Sequence, residues 1–328
     1  LLREIGVRFR AFSLERTGFN PLKDFKTIRN LKKIYKEEKP NYILPYTVKP
    51  VIYSNLAKKG TPIKSLNWIT GLGFYGLESK SLKDKISKSI MTFLYKLSFR
   101  KNDIIIFQNI DDVEFFKEKK ILKNQKYKIT PGSGINTNSF EYSIPNVEKL
   151  NFVFVGRLIE AKGIHVFIKA AEAIKKIYND VEFVIIGGLD KNNPNSISEE
   201  EIDLLKKKGV VNFTGKVNNV IDYLKNCSVF VLPSMYREGI PRSILEALSV
   251  GRAIITTDNV GCRETVIKDY NGILVEKNNT FELIEAIKFF CENKNKIIEY
   301  GENSRKLAEQ KFDVKIVNDI MLESLREL

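Results

Sequence analysis

The sequence predicts an α/β protein built as two successive sheet-and-helix halves with a cleft between them. Short apolar, β-branched runs alternate with helical patterns along nearly the whole chain, which is the signature of parallel strands joined by helical crossovers. A polar stretch with one proline, residues 137–149, interrupts that alternation once, and a second alternation begins after it. The length, 328 residues with 43% hydrophobic side chains, is enough for two cores.

In the first half, residues 7–12 read as a short strand. Asn20-Pro21 then opens an amphipathic helix to about Glu38, with Leu22, Phe25, Ile28, Leu31, Ile34 and Tyr35 on one face. Strand 42–44, helix 50–58 closed at Gly60, and strand 63–69 lead to the loop Thr70-Gly71-Leu72-Gly73-Phe74. Its glycines suit either close approach of backbone to a ligand or a plain turn. Helix 81–101 carries an apolar stripe of Leu82, Ile86, Ile90, Phe93, Leu94 and Leu97, flanked by Lys83, Lys85, Lys88, Lys96 and Arg100. Such a helix either packs its stripe into the core or lies in a membrane interface. Strand 103–107, helix 111–119 and strand 127–130 complete this half.

In the second half, strand 151–155 ends in Gly156-Arg157-Leu158 and is followed by helix 163–178. Strand 181–186 ends at Gly187-Gly188, and helix 198–207 starts with Ser198 and Glu201 spaced as a capping box. Strand 210–214, Gly215, helix 220–225 and strand 229–232 follow. The centre of the chain is the stretch Tyr236-Arg237-Glu238-Gly239-Ile240-Pro241-Arg242-Ser243-Ile244-Leu245-Glu246. It reads as a loop entering a helix, with Pro241 at the first helical position and Gly251 at the left-handed C′ position. Strand 253–256, a short helix from Cys262, strand 272–275, helix 281–291 and two terminal helices close the chain.

Charge is one-sided. Of 54 Lys and Arg and 40 Asp and Glu, residues 1–146 hold 28 and 13, a net +15, which leaves 26 and 27 for the remainder. A surface that meets a polyanion or an anionic membrane would have this bias, although a lysine-rich proteome would also supply many lysines. The single histidine and the cysteines at 227, 262 and 291 offer no metal-ligand spacing, and unpaired thiols fit a reducing cytosol. No apolar run reaches the ~20 residues of a membrane span, and no signal peptide is legible. The chain starts at Leu1 within what reads as a helix end over residues 1–6, so a preceding N-terminal piece is expected.

Chemistry gathers in the second half. A helix start favours a bound phosphate, and carboxylates at Glu238 and Glu246 would flank that site and accept from sugar hydroxyls. A solvated helix-start glutamate plus a structural ion pair is the plainer alternative. Arg157, Gly187-Gly188, Gly215 and Glu238 all lie at carboxyl ends of strands, where ligands collect in such sheets. Arg157 and Lys162 would place two cations on a diphosphate and stabilise charge developing on a leaving group.

These stretches resemble the retaining family-4 glycosyltransferases, in the bacterial surface-polysaccharide branch of capsule and O-antigen type. The likeness lies in Phe154-Val155-Gly156-Arg157-Leu158, Glu160-Ala161-Lys162-Gly163, Val231-Leu232-Pro233-Ser234, the E-x7-E spacing of Glu238 and Glu246, and residues 251–258 with 261–264. Lys49-Pro50, Thr70-Gly71-Leu72-Gly73 and Phe107-Gln108-Asn109 look like the same branch. The resemblance implies a GT-B architecture: two Rossmann-like, doubly wound domains facing a cleft, the first lacking its N-terminal strand and loop. It divides the chain into an acceptor-side domain at 1–146, a donor domain at 147–305, and a terminal helix at 306–328 returning to the first. It implies Glu238, Arg157 and Lys162 as catalytic groups. Gly215, Lys216, Val217, Gly239, Ile240, Pro241 and Glu246 would bind the donor, and Lys49, Gly71, Leu72, Gly73 and Asn109 would lie on the acceptor side. No metal and no cofactor are expected.

The implied reaction moves a hexose or N-acetylhexosamine from a UDP-sugar to an undecaprenyl-diphosphate-linked glycan, at the inner face of the cell membrane. The basic first domain would sit on anionic lipid, and nucleic acid is not an expected partner. Members of the branch often carry a histidine where this chain has Tyr46-Thr47-Val48-Lys49. A sugar-nucleotide epimerase of the same architecture and a basic nucleic-acid-binding protein are the competing readings.

Overall fold

The computed structural model describes residues 4, 6–15, 20–76, 81–101, 103–190, 193 and 195–328. Two parallel sheets organise them. The first half contains α1 (Pro21–Glu38), β1 (Tyr42–Ile43), α2 (Val48–Ala57), β2 (Lys64–Trp68), α3 (Leu82–Ser98), β3 (Ile104–Phe107), α4 (Ile110–Glu118) and β4 (Lys126–Ile129). Its strands lie in chain order, β1-β2-β3-β4. Asn20 caps α1 by accepting from the Lys23 N–H at 3.2 Å, and Pro21 occupies the first turn.

The second half contains β5 (Asn151–Val155), α5 (Ile164–Ile174), β6 (Glu182–Ile186), α6 (Glu199–Lys208), β7 (Asn212–Gly215), α7 (Ile221–Lys225), β8 (Val229–Leu232), α8 (Arg242–Ser249), β9 (Ala253–Thr257), β10 (Gly272–Val275), α9 (Thr280–Glu292), α10 (Lys294–Leu307) and α11 (Val314–Arg326). Its sheet runs β10-β9-β8-β5-β6-β7. From β5 the chain winds outward through β6 and β7, then returns to the other side of β5 and winds outward again through β8, β9 and β10. This is the dinucleotide-fold order, and its direction reverses between β5 and β8. β8 is buried throughout, as its unbroken Val229-Phe230-Val231-Leu232 run requires of a strand covered on both faces. The two halves form Rossmann-like α/β domains in a GT-B-like arrangement.

Residues 7–12 form no strand: they run alongside α1 without ladder pairing. The helix end read over residues 1–6 rests partly on residues outside those described. Leu22 and Phe25 are exposed, so only the Ile28, Leu31 and Tyr35 portion of the α1 stripe packs inward. On α3 the expected stripe, Leu94 apart, also faces outward, with Leu82 at 74% and Phe93 at 59% exposure. Tyr95 and Ser98 are buried instead, and Met91 and Leu94 pack beside them. At α6 only half of the expected capping box forms. Ser198 accepts from the Glu201 N–H at 3.1 Å, while the Glu201 carboxylate lies 3.5 Å from His165 Nδ1.

The polar stretch 137–149 is strapped to the second half. Arg252, fully buried, donates to Cys227 O and Val250 O at 2.8 Å each and also to Ser143. Those carbonyls compensate a charge that would otherwise be costly to bury. A π-helical turn, Ala308–Phe312, separates α10 from α11, and α11 lies against the first sheet. There Met321, Leu325 and Leu328 pack on Leu66, Ile104 and Ile106, and Glu323 pairs with Lys128 at 2.8 Å.

Candidate functional site

A doubly wound sheet leaves a crevice at the carboxyl ends of its strands, where the winding reverses. Here β5 and β8 bound that crevice. On the β5 side, backbone bonds extend the ladder past the ends of β5 and β6: the Gly156 N–H donates to Ile186 O at 3.0 Å and the Gly187 N–H to Gly215 O at 3.0 Å. These short, side-chain-free turns leave a cavity of about 450 Å³ lined by Gly156, Arg157, Gly188, Lys216, Val217 and Glu246. Arg157 Nη1 donates to Asp190 Oδ2 at 2.7 Å from the rim. Glu246 accepts from Arg242 Nε at 3.0 Å, and burial pushes its carboxyl above the usual carboxylate range. Two cationic side chains, Arg157 and Lys216, and two carboxylates, Glu246 and the Asp190 paired with Arg157, therefore border a single hollow. That arrangement suits a diphosphate at the cations and sugar hydroxyls at Glu246.

A second cluster lies at the start of α8. Lys162 comes from the 3₁₀ turn Glu160–Lys162, and its ammonium pairs with Glu238 Oε1. Ser234 Oγ donates to the same oxygen at 3.0 Å. Both members of the pair are 13% exposed. The Cys262 thiol lies beside them, pushed up to about 12 by burial and by the Glu238 charge. Of the four groups expected at one site, then, Arg157 and Glu246 border the cavity, while Lys162 and Glu238 are paired at the α8 entrance.

The entrance differs from expectation by one residue. Pro241 is the N-cap of α8 and not its first helical position, because its ψ of 119° is extended. No side chain caps this end. The Ile240 N–H, expected near a phosphate, donates to Gln108 Oε1 at 3.0 Å. Gly239 packs against Thr70 across the halves.

The acceptor-side candidates lie in structural contacts. Gly71 and Gly73 back onto residues 236–239, and Leu72 is buried in the first half's core. Asn109 caps α4 by accepting from the Asp112 N–H at 2.8 Å. Lys49 Nζ sits 3.6 Å from Asp24 Oδ1. Sequence reasoning missed Asp112, which accepts from Arg237 Nε at 3.0 Å. The two are 125 residues apart, so no spacing signal could have joined them. Burial raises the Asp112 carboxyl to about 6 despite the Arg237 charge beside it.

Among the described residues no group of three or more His, Cys, Asp or Glu side chains is gathered as a metal site, and no helix is long and apolar enough to cross a membrane.

A family model described as "Glycosyl transferases group 1" matches residues 136–307, and one described as "Glycosyl transferase 4-like" matches residues 2–109. The N,N'-diacetylbacillosaminyl-diphospho-undecaprenol alpha-1,3-N-acetylgalactosaminyltransferase of Campylobacter jejuni is 29% identical over 330 residues, 96% of this chain and 85% of that protein. The UDP-Gal:alpha-D-GlcNAc-diphosphoundecaprenol alpha-1,3-galactosyltransferase of Escherichia coli is 29% identical over 280 residues, 81% of this chain and 70% of that protein. Among solved structures, Anabaena HepE in complex with UDP and glucose superposes with a TM-score of 0.79 at 18% identity, over 100% of this chain and 88% of that one.

Proposed function

We propose, from the premise that this chain belongs to the glycosyl transferases of group 1, that it transfers a hexose or N-acetylhexosamine from a UDP-sugar to an undecaprenyl-diphosphate-linked glycan in surface-polysaccharide synthesis. One observation carries the donor half of this reading: Arg157, Lys216 and Glu246 converge on one cavity beyond the carboxyl ends of β5, β6 and β7, beside α8. Uridine would lie over Lys216 and Val217, its ribose hydroxyls would donate to Glu246, and Arg157 would hold the diphosphate. Glu238 would contact the donor sugar, and Lys162, its present partner, would turn to the leaving phosphate. Supporting the acceptor half, the Campylobacter and Escherichia relatives are named for diphosphoundecaprenol acceptors, and the second for a UDP-galactose donor.

In the proposed step the bond between the anomeric carbon and the β-phosphate oxygen breaks, and the acceptor hydroxyl oxygen bonds to that carbon from the same face. The acceptor's proton passes to the departing phosphate, so configuration is retained and no side chain forms a covalent intermediate. Fixed cations stabilise the developing diphosphate charge without a metal.

The basic first half would rest on the cytoplasmic leaflet through α3. Its outward stripe of Leu82, Ile86, Ile90, Phe93 and Leu97 stands beside a groove of about 830 Å³ lined by Lys85, Lys88, Lys96, Lys119 and Lys120. Apolar stripe and cationic flank together match an anionic interface.

Calorimetric titration with UDP tests the donor site: wild-type protein should bind UDP, and Arg157→Ala should bind it about tenfold or more weakly. Absence of binding to any nucleoside diphosphate would reject the reading. Turnover of UDP-N-acetylgalactosamine and UDP-galactose in EDTA, with the product's anomer read by NMR, tests the rest. An inverted product, or activity lost to EDTA and restored by Mg²⁺, would overturn retention or metal independence.

A further inference from the structure

The loop that carries Glu238 is not held by its own half alone. The Gly73 N–H donates to Arg237 O at 3.1 Å, and the Ile240 N–H donates to Gln108 Oε1 at 3.0 Å. Arg237 Nε donates to Asp112 Oδ1 at 3.0 Å and Nη2 to Asp111 O at 2.9 Å, with the guanidinium 5.1 Å from the centre of the Phe115 ring. A Cβ on Gly71 would stand 2.2 Å from Gly239 N, so the two loops meet backbone to backbone. These contacts fall on the residues either side of Glu238. The Glu238 carboxylate itself takes Lys162 and Ser234, both from the second half. The second half therefore sets its side chain, while the backbone on either side is shared: Asn259 donates to Tyr236 O at 2.9 Å from the second half, and Gly73, Gln108 and Asp112 hold it from the first.

Asp112 has 0% side-chain exposure, on the first turn of α4. A buried ion pair is weak evidence for stability, because desolvation offsets much of the attraction, and its best-attested use is to specify one arrangement. Here the arrangement it specifies is the register of one half on the other, directly beside the proposed donor-sugar carboxylate. Among the described residues, the nucleotide cavity is lined by second-half residues, from Val155 to Glu246.

We propose that Asp112 is a positioning residue for sugar transfer: through Arg237 it fixes the backbone on which Glu238 meets the donor sugar, so that the second half's site reaches its reactive geometry only when the first half is docked. The inference rests on the donor reading above. It also separates two properties, because the nucleotide should bind without the latch while transfer requires it.

The test uses Asp112→Asn, which keeps the side chain's shape, and Arg237→Lys, which keeps the charge but cannot span both acceptors. Each should lower kcat for transfer about tenfold or more with the KM for donor and the affinity for UDP unchanged. The double variant should lose no more than the worse single one, since both break one latch. Amide hydrogen exchange at residues 237–240 should accelerate in each variant, a readout that needs no substrate. Wild-type kcat or unaltered exchange in Asp112→Asn would overturn the proposal, as would UDP affinity falling in step with kcat. Failure of the wild-type protein to bind UDP would instead reject the donor reading, and the exchange result would still decide whether Asp112 holds the loop.

Discussion

Single residues at the crevice combine tight backbone packing with charge. Gly187 follows β6, and a Cβ there would lie 1.8 Å from the carbonyl oxygen of Gly156, whose own N–H is bonded to Ile186 O. Gly187→Ala should therefore cost about 1–3 kcal/mol by overpacking, read as a lower urea midpoint, and should weaken UDP binding by shifting the cavity wall. Glu238→Gln should lower kcat about 100-fold, because the amide no longer carries the charge at the donor sugar, and should also lower the unfolding midpoint, because the Lys162 ammonium, 13% exposed, loses its counter-charge. Steady-state turnover beside a urea melt checks this, and wild-type kcat would remove Glu238 from the mechanism. At this scale two kinds of local signal are legible: Arg157 follows a strand's carboxyl end, and Glu246 lies within the helix whose start offers an anion site. The Lys162–Glu238 pair was not readable as a pair, since two loops 76 residues apart decide it.

Helix α3 is the element whose pattern was visible and whose orientation was not. Both of its faces carry apolar residues: Leu82, Ile86, Ile90, Phe93 and Leu97 on one, Met91, Leu94 and Tyr95 on the other. Periodicity detects a stripe, but it cannot say which face a neighbouring helix covers. The structure covers the second, where Tyr95 stacks on Phe99 and meets Phe116 edge-on. The exposed face can then be changed at little cost to folding. Ile86→Asp with Ile90→Asp should keep the unfolding midpoint while reducing flotation with anionic vesicles, and high salt should reduce wild-type flotation. Equal recovery of wild type and variant would exclude α3 as the membrane face. The helix start is separately secured, because Ser81 and Asp84 form a full capping box. Ser81→Ala should cost about 1 kcal/mol.

Across the whole molecule, the halves are joined by the Arg237–Asp112 latch on one side and by α11 on the other. The latch gives stability a pH dependence. The Asp112 carboxyl sits at about 6 in the folded protein against an ordinary 3.8, so the folded state holds its proton more tightly than the unfolded chain does. That contribution is fully present below the unfolded value and is lost as pH rises through 6. It amounts to about 3 kcal/mol over the whole titration, of which about 2 kcal/mol is lost between pH 4 and 6. Asp313 and Glu327, whose carboxyls are lowered, act in the opposite sense, losing their contribution as pH falls. Urea unfolding of wild type and Asp112→Asn side by side isolates the first effect: the stability difference should shift against the wild type from pH 4 to pH 6. A constant difference over that window would show that Asp112 titrates normally.

Local pattern is enough to mark the alternation of strands and helices, two sheets, and which residues follow each strand of the second half. Those follow from local periodicity and from the chain direction of parallel strands, which act over a few residues at a time. The N-terminal stretch 7–12 misread as a strand marks the limit of that signal, because an extended apolar run becomes a strand only when a ladder partner lies beside it. Tertiary structure alone decided that Gln108 and Asp112 of the first half grip the loop around Glu238. Docking of two separately patterned sheets brings those groups together, and the free energy that selects the match resides in contacts between distant residues, which no local pattern encodes.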